Sequence, residues 1–279
     1  DEKRIQEIVD KVLLRLSPDV QQTPAEAVMK AADKGTPNTG TSQRPGAFVP
    51  PHLRGGGAGK RGDARVPRGT HGLFQDIDSA TAAAQKAFEQ YSSAPLSTRE
   101  KMVAAMRKVS LDNVKLLAEY AVAETGLGRV DDKIKKNTLV ATKTPGPEIL
   151  RPTAFSGDHG LTVLDRAAYG VIGAITPTTN VTETILNNGI GMLAGGNAVV
   201  FNNHPYAWRT CAWFVHILNE AIVANGGPPN LLCNLAEPTI ESAQKLMSHK
   251  GVRLLVVTGG PGVVKAAMTS GKRAIGAGP

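Results

Sequence analysis

From Val171 to its end the chain alternates short apolar runs with helix-forming stretches, and this restricts the fold more than any other feature. The apolar runs are VIGAIT, NAVVFNN, NLLCNLA and VRLLVVTG. Between them lie TETILNNGIGMLAGG, AWRTCAWFVHILNEAIVANG and TIESAQKLMSH, with GVVKAAMTSG after the last. Their apolar residues recur at helical spacing, and Gly226-Gly227 closes the longest of them. Strand, helix and strand in succession call for crossover connections, which make neighbouring strands parallel. The expected fold is α/β, with a doubly wound parallel sheet.

The preceding segment, from Gly72 to Pro145, predicts a layer of helices in front of that sheet. In DIDSATAAAQKAFEQY, Asp78 or Ser79 is the expected cap. In the next helix Ser97 is the expected N-cap and Glu100 the far member of a capping box, with Gly126 ending the helical run at ETG. Residues 71–279 therefore read as one globular unit. Residues 1–18 read as a separate amphipathic helix, with Ile5, Ile8, Val9, Val12, Leu13 and Leu16 on one stripe. So short a helix is marginal alone in water, and its stripe calls for a partner surface. Residues 19–70 are rich in Pro, Gly, Thr and Ala and read as a disordered linker.

Charge and cysteine content narrow the function classes. The formal net charge is +8, but the stretch from Thr41 to Thr70 holds six cations against Asp63 alone and so carries +5 of it. A basic linker with no aromatic residue beyond Phe48 among its charges is a poor nucleic-acid platform, so no nucleic-acid partner is expected. No run of 18 apolar residues is present and DEKRIQEIVDK is too charged for a secretory leader, so neither a membrane span nor export is expected. Cys211 and Cys233 lie in apolar helical and strand patterns and read as core residues of a protein in a reducing cytoplasm.

Two loops carry chemistry. In VVTGGPGVV an apolar run meets Thr258, Gly259, Gly260, Pro261 and Gly262 and then a helix, an outline that suits a phosphate against backbone N–H groups. Lys265 stands where a dinucleotide fingerprint has its third glycine, so the turn alone reads equally as a cofactor turn or a plain strand-to-helix turn. The second loop, ITPTTN, follows a strand at the end where α/β sheets hold ligands.

Taken together, ETGLGRVDDKIKKN (124–137), YGVIGAITPTTN (169–180), TETILNNGIGMLAGGNAVVF (182–201), His204-Pro205 and VTGGPGVVKAAMTSGKRAIGAGP (257–279) resemble the CoA-acylating aldehyde dehydrogenases of bacterial microcompartments, the propionaldehyde and acetaldehyde group. The resemblance runs in register from about Gly72 to Pro279. It implies the Rossmann-type cofactor-binding part of an aldehyde dehydrogenase, with NAD as cofactor and coenzyme A as co-substrate. It implies oxidation of a short aldehyde through a cysteine thioester, homo-oligomers of the full-length enzyme, and residues 1–18 as a targeting helix for a shell protein in a microcompartment lumen. Thr176, Pro177, Thr178, Thr179, His204, Thr258, Gly259, Gly260, Gly262 and Gly276 become cofactor contacts, and Asn180 the amide that stabilises the oxyanion. Gly276 stands where hydrolytic members carry a water-activating glutamate, which implies acyl transfer to a thiol. The family's nucleophilic cysteine follows the GAGP segment, so the chain is expected to be a fragment, inactive by itself and without the catalytic domain. A non-catalytic nucleotide-binding shell cargo is the alternative. Val181 and Asn202-Asn203 replace residues that include expected prolines, which predicts looser or reshaped loops at both places.

Overall fold

The computed structural model describes residues 66, 67 and 69–278. The 1–18 helix and most of the 19–70 linker lie outside these residues. The last residues of the linker segment pack on the globular unit. Val66 is fully buried and its carbonyl accepts from Arg209 Nε at 2.9 Å. At Gly69 an added Cβ would lie 2.3 Å from the Ala212 carbonyl oxygen, so only glycine allows this approach.

The described chain forms β1 (Leu73–Phe74), α1 (Ile77–Ser92), α2 (Leu96–Asp112), α3 (Val114–Thr125) and α4 (Val130–Lys143). A hairpin of β2 (Thr153–Gly157) and β3 (Gly160–Leu164) follows. Then come β4 (Val171–Thr176), α5 (Val181–Ala194), β5 (Ala198–Asn203), α6 (Trp208–Ala224) and β6 (Leu232–Leu235). The last elements are α7 (Ile240–Ser248), β7 (Val252–Thr258), α8 (Pro261–Met268) and β8 (Arg273–Ala277).

The alternation builds the expected sheet. Six strands run in the order β1-β6-β5-β4-β7-β8, every pair parallel. The path moves outward from β4 through β5 to β6, then crosses back to β7 on the other side of β4. Right-handed crossovers therefore put α5 and α6 on one face and α7 and α8 on the other. Strands β4, β5 and β6 are buried at every position, as strands covered on both faces must be. Helix α1 packs with α7, while α2, α3 and α4 pack with α5 and α6.

Two caps differ from expectation. The cap of helix α1 is Asp76, two residues before Asp78, because Asp76 Oδ1 accepts from the Ser79 N–H at 2.8 Å, leaving Asp78 inside the first turn. Helix α2 starts at Leu96 behind Pro95, so Ser97 is helical and no side chain caps it. The capping box forms instead at α7, between Thr239 and Ser242. The hairpin β2–β3 is exposed at all positions, and Phe155, Leu161, Val163 and Leu164 are among the exposed apolar side chains. No helix among the described residues is long and apolar enough to cross a membrane.

Candidate functional site

The strand order reverses between β4 and β7, and a crevice opens beyond the carboxyl ends of strands at such a point. A cavity of about 1100 Å³ lies there. Thr176 ends β4, Asn202 and Asn203 end β5, Thr258 ends β7 and Ala277 ends β8, and all five line it. Between them the wall is made by Pro177, Thr178 and Thr179, by His204 and Tyr206, by Thr239 and Glu241, and by Gly259 and Gly260.

Of the residues singled out from sequence, Thr176, Pro177, Thr178, Thr179, His204, Thr258, Gly259 and Gly260 come together on this wall. Gly262 and Gly276 do not line it. Gly262 is already the second residue of α8. Gly276 lies in β8, where an added Cβ would meet Val264 at 2.7 Å. Asn180 is the N-cap of α5, one residue beyond the lining, and is half-buried.

The α8 N-terminus opens on the cavity at Gly259 and Gly260. The first N–H groups of a helix lack intrahelical partners and carry the positive end of its dipole. A Cβ on Gly260 would meet nothing within 4 Å, so the space above this helix end is open. Such a place fits the phosphates of a nucleotide.

The charge around the cavity is small. Glu241, His204 and Tyr206 are its titratable lining residues, and neither Lys nor Arg lines it among the described residues. Burial pushes the His204 imidazolium below its usual range, so the ring is neutral at pH 7. Its Nδ1 accepts from the Tyr206 N–H at 3.2 Å, which leaves the proton of the neutral ring on Nε2.

Asn202 and Asn203 do not loosen the strand end. Asn203 Oδ1 accepts from Thr176 Oγ1 at 2.7 Å, and its Nδ2 donates to Asn234 Oδ1. Asn202 Oδ1 accepts from Ser242 Oγ. Three strand ends and the α7 capping box are thereby tied together. Val181, fully buried as the first residue of α5, anchors the other loop.

Sequence reasoning missed a polar cluster behind Thr179 and Asn180. Helix α4 supplies Lys133 and Lys136, and α5 supplies Glu183. Lys133 Nζ lies 3.7 Å from Glu183 Oε1, with side-chain exposures of 4% and 5%. Lys133 also donates to the Thr179 carbonyl at 3.1 Å. Burial pulls the Lys133 ammonium below its usual range, and Glu183 pulls it back. Lys136 Nζ donates to Asn180 Oδ1 and lies 3.9 Å from Glu183. Thr182 Oγ1 donates to Asn137 Oδ1 at 2.7 Å, a further tie between α4 and α5. The DDKIKKN pattern, with Lys133, Lys136 and Asn137 at helical spacing, was the available signal.

A second missed group is Glu124, at the end of α3. It is buried and accepts from the Arg209 and Thr210 N–H groups at 2.9 and 2.8 Å and from the Thr210 hydroxyl. It thus holds the N-terminus of α6, the helix that follows the His204 loop. Cys211 and Cys233 are fully buried, and burial pushes both thiols up, so they stay protonated core groups.

Residues 64–276 match the aldehyde dehydrogenase family. An acetaldehyde dehydrogenase (acetylating) of Bilophila wadsworthia is 50% identical over 199 residues, 71% of this chain and 41% of that protein. The propionaldehyde dehydrogenase of a Clostridium phytofermentans fucose-utilisation microcompartment superposes with a TM-score of 0.73 at 49% identity, over 75% of this chain and 48% of that one. The propionaldehyde dehydrogenase of Rhodopseudomonas palustris with bound propionyl-CoA gives 0.74 at 47% identity, over 75% and 47%. The chain spans less than half the length of these relatives. With that match running from residue 64 to residue 276, the chain belongs to the aldehyde dehydrogenase family.

Proposed function

We propose that this chain is the nucleotide-binding part of an NAD-dependent, CoA-acylating dehydrogenase of short aldehydes such as acetaldehyde or propionaldehyde. The observation that carries the reading is the cavity at the sheet's switch point, with the open α8 N-terminus on its wall. Gly259 and Gly260 would hold the phosphates, while Thr176 to Thr179 would lie along the nucleotide on the β4 side. When bound, NAD supplies the acceptor for the hydride leaving the aldehyde carbon. Asn180, at the end of the same loop, would donate from its side-chain amide to the aldehyde oxygen as that oxygen gains charge. Gly276, in place of a carboxylate on β8, leaves no general base there to activate water, which favours coenzyme A as acyl acceptor.

The exposed apolar hairpin β2–β3 supports a homo-oligomer, because apolar side chains there have no cover within the described chain. A shell-protein partner for residues 1–18 and a place in a microcompartment lumen rest on the amphipathic stripe and on the microcompartment relatives.

Calorimetric titration of the chain tests the nucleotide reading. Gly260→Val should weaken NAD at least about tenfold by covering the helix end, while stability changes by under about 1 kcal/mol because the protein leaves room for the side chain. Equal NAD affinity in wild type and Gly260→Val would remove the phosphates from this turn.

A further inference from the structure

We infer that Lys136 is a positioning residue that orients the Asn180 side chain, with Lys133 and Glu183 fixing the loop on which Asn180 stands. The inference rests on the reading of Asn180 as the oxyanion donor, and its geometry comes from helix α4, outside the cavity wall.

Three observations converge. An ammonium offers only donors, so the Asn180 atom that faces Lys136 Nζ must be the amide oxygen. The choice between oxygen and nitrogen is thereby decided by chemistry, and Nδ2 is turned the other way. Asn180 is also an N-cap, where asparagine ordinarily folds its oxygen back onto an N–H of the first helical turn. Asn180 makes no such side-chain cap bond. Its oxygen is committed to Lys136 instead, and Nδ2 donates to none of the described residues. That leaves an N–H donor pair available beside Thr179, the neighbouring residue on the cavity wall.

The backbone under Asn180 is held as well. Lys133 donates to the Thr179 carbonyl, and Glu183 lies within ion-pair distance of both lysines. One buried carboxylate therefore places two ammonium groups, one on the loop backbone and one on the side chain. An ammonium on the amide oxygen also polarises the amide, which strengthens its N–H groups as donors to an oxygen that gains negative charge.

The side-chain amide of Asn180 reports this directly. In the ¹⁵N-labelled chain its NH₂ pair is identified by its loss in Asn180→Ala. Lys136→Met should shift both resonances of that pair, as expected when the charge that polarises the amide is removed. Lys136→Arg, which keeps the charge and the donors, should return both toward wild type. Lys135→Met, an exposed neighbour on the same helix, should leave the pair in place. NAD affinity should stay within about twofold in Lys136→Met, because the nucleotide is held elsewhere on the wall. An unmoved Asn180 pair in Lys136→Met, or a shift that Lys136→Arg leaves uncorrected, would overturn the inference. Absence of NAD binding in the wild type would sink the nucleotide reading, while the amide measurement would still decide the Lys136 contact.

Discussion

Glu183→Gln should lower the unfolding free energy by about 3–5 kcal/mol, the usual result of removing one member of a buried ion pair. Lys133 and Glu183 are both almost fully buried, so the glutamine leaves an ammonium without its counter-charge in a place water scarcely reaches. For a domain of this size the melting temperature should fall by roughly 10 °C. The paired replacement Lys133→Met with Glu183→Leu removes both charges and should be much less destabilising, because an apolar pair of similar volume needs no partner. Chemical denaturation of the two variants measures the contrast. If Glu183→Gln is within about 1 kcal/mol of wild type, the pair is not closed as the geometry has it. The variant should also free the Thr179 carbonyl, since Lys133 would be drawn toward water or would lose its proton.

Glu124→Ala should be nearly as damaging, by about 2–4 kcal/mol. It removes the acceptor for two N–H groups and a hydroxyl at the first turn of α6, and Thr210 is wholly buried. The two Thr210 donors have no route to water, so each carries its full desolvation penalty. Glu124→Gln keeps one oxygen at the same reach and should lose less. Burial raises the Glu124 carboxyl above 4.5, although its hydrogen bonds and Arg209 pull it down. A carboxyl with a raised folded pKa takes up its proton more readily in the native state. Its contribution is therefore fully present below 4.5 and is lost as the pH rises through the raised value. The stability of wild type relative to Glu124→Gln should accordingly grow as the pH falls from neutrality toward 4.5. A difference that shrinks over that interval would mean the three donors outweigh burial and the carboxyl is held below its usual range.

Both predictions concern groups that sequence reasoning passed over, and the reason is physical. Apolar periodicity is a local property, and local periodicity located β4 through β7 and the helices between them. Capping was harder to read, because neighbouring residues compete for one role. Asp76, Asp78 and Ser79 all suit a cap, and the Asp76 bond to the Ser79 N–H decides among them. Pro95 pre-empted Ser97 because its restricted φ sets the helix entry two residues earlier. The glycine turn was legible, yet its wall residues were not all the same glycines. Gly259 and Gly260 face the cavity, while Gly262 has already entered the helix.

The sequence by itself determined the parallel α/β architecture, the family resemblance and the loop segments around the cavity, because all of these follow from patterns within a few residues. Only the tertiary structure decided what those loops rest on. Lys136 meets Asn180 across 44 residues, and Glu124 meets Thr210 across 86. Asn202 and Asn203, which suggested slack when read along the chain, are tied to Ser242, Thr176 and Asn234. A buried polar group must find its partner wherever packing brings one, and no local pattern records that choice.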